Sequence, residues 1–178
     1  MIKGNAVGLR AIERSDLPQL MEWRNRPEYR RYFREYRELG FEHQNNWFEK
    51  IVIGDMRTIM FAIVELSSGK LLGACGLCYI DWINKNADFS IYIGADNLYI
   101  DELYAYDAAI TMARYGFDEL GLHRLWAEIY DFDEQKKMLF QSLGFSLDGC
   151  FRQNHWSEGK WHDSLFYSLL KHELEPLV

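Results

Sequence analysis

The stretch from Ala87 to Phe145 constrains this chain more than any other, because strand and helix alternate twice in it with no linker between them. It opens with ADFSIYIG, Ala87 to Gly94, rich in aromatic and β-branched residues and read as a strand. A loop and the helix it opens follow, DELYAYDAAITMARYGFDEL, Asp101 to Leu120. Leu103, Ala108, Ala109, Met112, Phe117 and Leu120 fall mainly on one face of that helix, and Gly121 is placed to end it. HRLWAEIY, His123 to Tyr130, reads as the next strand, and DEQKKMLFQSL, Asp133 to Leu143, as a last helix closed by Gly144-Phe145. A strand that feeds a helix N-terminus meets free N–H groups and the positive end of the helix dipole, so phosphate-bearing ligands often sit there.

The flanking segments complete a simple order. Asn5 to Ile12 can form a first strand. Ser15 is suited to cap a helix that begins with Asp16 and Pro18 and ends near Asn25-Arg26-Pro27. Glu28 to Leu39 is crowded with Arg and Tyr, and Glu42 to Ile53 reads as a second helix. Thr58 to Leu66, Leu71 to Ile80 and Ala87 to Gly94 form a three-strand meander, joined by turns at Ser67-Lys70 and Asn84-Asn86. Phe151-Arg152 and Leu165 to Leu170 read as two closing strands, with His155 to His162 as the turn between them.

A length of 178 residues suggests one domain, 1–178, with a substantial core, and 48% hydrophobic residues excludes a disordered chain. No apolar run approaches the ~20 residues of a membrane helix, and the N-terminus lacks the apolar core of a signal peptide, so a cytoplasmic location without membrane partners is expected. A net charge of −7 argues against nucleic acid as the main partner and suits a cationic or neutral substrate. The three cysteines give no disulfide framework. Cys75 and Cys78 match C-x-x-C, but in a strand-like run they face opposite sides, so packing is expected rather than a metal or redox role.

LRAIERSDLPQLMEWRN, IVELSSGKLLGACGL, ADFSIYIG, YGFDELGLHRLWAEIYDFDE and FQSLGF occur in an order that resembles the GNAT superfamily of acyl-CoA-dependent N-acetyltransferases. The resemblance covers nearly the whole chain and is greatest to the branch acting on protein N-termini, amino sugars and polyamines. It implies an α+β fold: a mixed, mostly antiparallel sheet of about six to seven strands flanked by about four helices. It implies acetyl-CoA as cosubstrate, no metal, and direct attack by a primary amine of a small molecule or peptide. A homodimer is a further expectation.

The cosubstrate motif departs from the family pattern. Relatives open the central helix with a sequence like Gly-Lys-Gly-Tyr-Gly-Thr-Glu-Ala. Here the glycines become Asp101, Leu103 and Ala105, and the basic residue becomes Glu102. Each acid placed ~6 Å from a phosphate costs roughly 2–3 kcal/mol at an effective dielectric of ~20. In the last helix the family's Asn and thiolate-protonating Tyr become Asp133 and Phe140. Two readings follow. The enzyme still uses acetyl-CoA, or the fold has lost it and serves as a binding module.

Under the first reading the resemblance assigns roles. Backbone N–H groups of Ile91, Tyr92 and Ile93 would polarise the thioester carbonyl. The backbone of Tyr104, Ala105, Tyr106 and Asp107 would hold the pyrophosphate, with Asp133, Lys136, Lys137 and Phe140 along the last helix. Asp88 is the first candidate for general base, followed by Glu42 with His43, and by His155 with His162. Tyr104 or Tyr106 could replace the missing thiolate donor. Aromatics reach 16%, and Trp23, Trp47, Trp82, Trp156 and Trp161 could line an acceptor cleft or fill a core.

Overall fold

A computed structural model of the protein describes residues 1–174. The strands are β1 (Ile2–Lys3), β2 (Val7–Ala11), β3 (Ile59–Glu65), β4 (Leu71–Asp81), β5 (Asn86–Ile93), β6 (Arg124–Tyr130), β7 (Ser146–Ser157) and β8 (Lys160–Leu170). The helices are α1 (Leu17–Asn25), the single turn α2 (Pro27–Arg30), α3 (Phe41–Trp47), α4 (Tyr104–Arg114) and α5 (Glu134–Ser142). Helix α3 continues in wider turns through Phe48–Ile53, and α4 through Tyr115–Glu119. One eight-stranded sheet runs β1-β2-β3-β4-β5-β6-β8-β7. Every neighbouring pair is antiparallel except β5 with β6. The expected α+β class therefore stands.

Three local expectations are corrected. The strand expected over Asn5 to Ile12 is the shorter β2, and a two-residue β1 precedes it, because the chain turns back at Gly4-Asn5-Ala6, where Gly4 N–H donates to Val7 O at 2.8 Å. Ser15 does not cap α1. The chain enters through a tight turn at Arg14–Asp16, where the Asp16 carboxylate accepts from Glu13 N–H at 2.8 Å and from Arg10 at 2.7 and 2.9 Å. The closing strands are long, and the turn between them is only Ser157 to Lys160. His155 and His162 are thus cross-strand partners within the ladder, not turn residues.

The core lies where α4 covers the sheet. Ala105, Ala108, Ala109, Met112 and Ala113 are buried, and the run of alanines lets the helix sit close to the strands. Phe117, Met112, Leu77 and Ile91 are among the largest fully buried side chains, each contributing about 1.5–3 kcal/mol. Gly121 ends the helical segment at φ +67°, a backbone shape in which a side chain would be strained. Cys75 and Cys78 are unbonded thiols on β4, and burial pushes Cys78 up to about 12. No helix among the described residues is long and apolar enough to cross a membrane.

What positions the site is the one parallel pair. β5 and β6 are in register only at Asn86–Arg124, Ala87–Leu125 and Asp88–Trp126. Beyond Asp88 the two strands part, although β5 runs on to Ile93 and β6 to Tyr130. Gly94 N–H bonds Leu72 O on β4 at 2.8 Å, so by antiparallel alternation Ile93 and Ile91 turn their N–H groups away from β4, toward the opening.

Candidate active site

The opening has two sides. On one, the chain runs from the end of β5 to the N-terminus of α4. On the other is a cavity of about 590 Å³, walled by α1, α3, the Arg- and Tyr-rich segment after α2, and the faces of β4 to β6.

The α4 side has the makings of an anion cradle, but the chain occupies it. Leu103, Tyr104 and Ala105 point their N–H groups at one spot, and all three donate to the carboxylate of Asp101, at 3.0, 2.8 and 2.8 Å. Asp101 therefore stands where a phosphate oxygen would be held. The N–H of Asp107 is already inside the helix, donating to Leu103 O at 3.0 Å. Its side chain is buried facing away, and takes the N–H groups of Asn5, Ala6 and Val7 at 3.0, 2.7 and 2.9 Å. Tyr106 is partly exposed, and the Tyr104 hydroxyl donates to Glu65 at 2.6 Å. Neither tyrosine lines the cavity, so neither is placed to serve a thiolate there.

The groove along β5 is also filled from within. Ile93 N–H donates to Tyr99 O at 2.7 Å. The Tyr99 ring is 3% exposed, stacks on Tyr32 with centroids 4.2 Å apart, and donates its hydroxyl to Asp133 at 2.5 Å. Burial, with Asp133 alongside, raises the Tyr99 pKa well above a normal phenol. The segment keeps Asp96, Asn97 and Tyr99 in the left-handed region, at φ +53°, +56° and +55°, which costs free energy for a tyrosine and marks a tightly determined loop. Asp133 meanwhile caps α5, accepting Lys136 N–H at 3.1 Å. In this arrangement the residues do not fit a CoA chain: Ile93, Tyr104 and Ala105 have spent their N–H groups on Tyr99 and Asp101.

Along α5, Lys137 pairs with Glu134 at 2.5 Å on the surface. Phe140 is fully buried, edge-on to Phe89 at 5.3 Å and to Phe145 at 4.7 Å. Its ring packs the core, and a tyrosine hydroxyl there would meet other rings. Lys136 reaches the cavity beside the Tyr99 ring, at 5.8 Å from its centroid, and burial lowers its pKa.

Asp88 occupies the fork itself, at the last paired position of β5, and lines the cavity while only 4% exposed. Arg34 reaches in from the segment after α2 and donates to Asp88 at 2.6 Å and to Glu128 of β6 at 2.9 Å. Burial raises the Asp88 pKa, and the Arg34 charge opposes it. Glu128 also accepts from Ser164 at 2.7 Å. Gln44 of α3 faces the same cavity; it is 1% exposed, and neither amide atom has a hydrogen-bond partner among the described residues.

The other candidate bases lie elsewhere. Glu42 is exposed on α3 outside the cavity lining, and His43 accepts Gly40 N–H at 3.0 Å to start that helix. His155 stacks on Tyr130, centroids 3.6 Å apart, and does not line the cavity, although Tyr130 does; burial lowers its pKa. His162 is buried against Asp131 at 2.8 Å. Among the tryptophans, Trp47 lines the cavity, Trp23 packs against Gly94 in the core, and Trp82, Trp156 and Trp161 are exposed. No group of three or more His, Cys, Asp or Glu among the described residues is arranged to hold a metal.

Known proteins share this fold. The family model for the acetyltransferase (GNAT) domain matches residues 7–146. The spermidine N(1)-acetyltransferase of Escherichia coli K12 is 26% identical over 173 residues, 97% of this chain and 90% of that one. An uncharacterized N-acetyltransferase, p20, of Bacillus licheniformis is 28% identical over 113 residues, and the match spans 62% of its length. Among solved structures, the Vibrio cholerae spermidine N-acetyltransferase in complex with CoA and spermine superposes with a TM-score of 0.85 at 22% identity, covering 94% of this chain and 97% of that one. The parted strands, the helix laid behind them and the family match lead to one conclusion: this chain belongs to the GNAT acetyltransferase family.

Proposed function

We propose that this protein transfers an acetyl group from acetyl-CoA to a primary amine bound in the 590 Å³ cavity, by direct attack. One observation carries the reading: a buried carboxylate, Asp88, lies at the fork of β5 and β6 and also lines the cavity. A thioester supplies an acyl group already activated toward amines, so this chain's own tasks are to place the amine and take its proton. The amine arrives as an ammonium. Asp88, with a raised pKa, accepts a proton from it directly or through water, and the Arg34 guanidinium keeps enough Asp88 ionised to do so. Tyr99 and Asp101 now fill the cosubstrate's side of the fork, so this closed arrangement has to open before turnover. The relatives named as N-acetyltransferases support the reaction class.

Calorimetric titration of acetyl-CoA, paired with thiol release in the presence of a mixed amine pool, tests the reading. Micromolar binding with amine-dependent release of CoA is expected. No binding at millimolar acetyl-CoA would instead make this a binding module on the same scaffold.

A further inference from the structure

The charges that line the cavity are balanced in number but not in engagement. Four carboxylates and four cations face it. Each carboxylate accepts hydrogen bonds, and three of the four are paired with an arginine. Asp88 and Glu128 share Arg34. Glu35 is held through both oxygens by Arg37, at 2.8 and 2.8 Å, which lowers its pKa to about 2. Asp55 accepts from Arg57 N–H at 3.0 Å and from the Thr58 hydroxyl at 2.8 Å.

Two of the cations are not engaged in this way. Arg24 lies over the Phe33 ring at 5.2 Å, and Lys136 near the Tyr99 ring at 5.8 Å. Neither has a carboxylate within 4.0 Å among the described residues. Glu35 is near enough to sense Arg24, and Asp133 and Asp88 to sense Lys136, but Glu35 is committed to Arg37, Asp133 to the Tyr99 hydroxyl and Lys136 N–H, and Asp88 to Arg34. Between the same walls Gln44 holds a buried amide with no partner among the described residues, which costs free energy until something bonds it. A polyamine brings several ammonium groups, and this cavity offers them one carboxylate without a cationic partner, Asp55, whose oxygens already accept from Arg57 N–H and the Thr58 hydroxyl. An anion finds two cations and an amide N–H. The volume is within the roughly 300–1,000 Å³ of small-molecule sites.

We propose that the acceptor is a primary amine that also carries a carboxylate, as in an amino acid or a short peptide, with Arg24 and Gln44 binding the carboxylate. This rests on the amine-acetylation reading above. It departs from the polyamine that the names of several relatives specify.

The test compares ω-amino acids, from glycine to 6-aminohexanoate, and glycylglycine with the diamines of matched length and with spermidine. Acetyl-CoA-dependent CoA release and calorimetric binding are measured for each. At least one carboxylate-bearing amine is expected to exceed its matched diamine and spermidine in kcat/KM. Arg24→Met is expected to lower that value by roughly 10–100-fold, the size of one charge-assisted hydrogen bond, and to bring the ratio to the diamine toward one. Gln44→Leu removes a buried unbonded amide, so it is expected to fold at least as stably as the parent while weakening the same preference. It serves if Arg24→Met does not fold.

If diamines or spermidine are acetylated preferentially, the carboxylate proposal is overturned while amine acetylation stands. If nothing is acetylated but an amino acid binds and Arg24→Met abolishes binding, the anion site stands and the transferase reading falls. If carboxylate-bearing amines are neither acetylated nor bound, the proposal is overturned.

Discussion

Asp88 cannot be understood apart from Arg34. A carboxylate only 4% exposed, with Glu128 close by, would be driven to protonate if no cation reached it. Arg34 supplies that cation from a segment 54 positions away. If Asp88 takes the amine proton, Asp88→Asn should lower kcat/KM by ~10²–10⁴-fold at pH 7 and leave CoA affinity nearly unchanged. The loss should shrink at high pH, where the amine is already neutral. A wild-type rate at pH 7 would leave Asp88 as no more than Arg34's partner. Arg34→Met tests the other half. It strands Asp88 and should destabilise the fold by roughly 2 kcal/mol at pH 7, less than for a fully buried pair because the Arg34 side chain is 44% exposed. The sign with pH is fixed. A carboxyl whose folded pKa lies above its unfolded value supports folding in its protonated form, and that support is lost as pH rises through the folded pKa. Without Arg34 the folded pKa moves higher still. The deficit of Arg34→Met should therefore be largest at neutral pH and fade as the solution is acidified, as urea unfolding at a series of pH values would record. Adding Asp88→Asn should flatten that dependence. A deficit that stays constant with pH would mean that Arg34 matters for packing and not for the charge on Asp88.

On the proposed reading, the element that would decide whether acetyl-CoA enters is the segment from the end of β5 to the first turn of α4. It satisfies Ile93 with a carbonyl and three helix-terminal N–H groups with one carboxylate. On the acetyl-CoA reading proposed above, CoA would compete with this internal ligand, and its apparent affinity would fall by the fraction of molecules that are open. The double substitution Asp101→Gly with Glu102→Lys removes that ligand and two like charges, and restores a basic donor. It should tighten CoA binding at least tenfold by calorimetry. It should also cost about 1 kcal/mol of stability through the lost cap. Unchanged affinity would mean phosphates do not sit at this helix end. Much of this element was legible beforehand. The helix showed in its apolar period, its end at Gly121, and its displaced glycines in Asp101, Leu103 and Ala105. Asp101 was readable as a charge beside the ligand, but not as an occupant of the ligand's place. That difference depends on a backbone path through three left-handed residues. Tyr99, Arg34 and Gln44 escaped for a related reason: each acts through a partner on another element, and periodicity reports only the element a residue belongs to.

At the scale of the whole molecule, one carboxylate joins parts of the chain that are about 100 residues apart. Asp107 projects from the first turn of α4 into the bend between β1 and β2, where it accepts the N–H groups of Asn5, Ala6 and Val7. Those donors belong to a turn at the sheet's edge, and two of the bonds reach only partly buried backbone. A Cβ at Gly4 would come within 2.5 Å of Asp107 Oδ2, so the close approach is possible only because residue 4 has no side chain. The contact fixes how α4 sits against the far end of the sheet. By resemblance Asp107 belonged to the pyrophosphate site. Its side chain in fact points away from the fork, so its effects should be structural. Asp107→Ala leaves three backbone donors without their acceptor. At about 1 kcal/mol or more for each bond to a charged group, the loss should be roughly 3 kcal/mol, or a Tm lower by about 6–12 °C for a chain of this size. Asp107→Asn keeps one acceptor oxygen and should fall between. Acetyl-CoA affinity, measured well below the lowered Tm, should change less than threefold. If instead Asp107→Ala unfolds at the parent's temperature and loses CoA binding, the carboxylate serves the ligand directly, and the helix is held to the sheet edge by its alanine face alone.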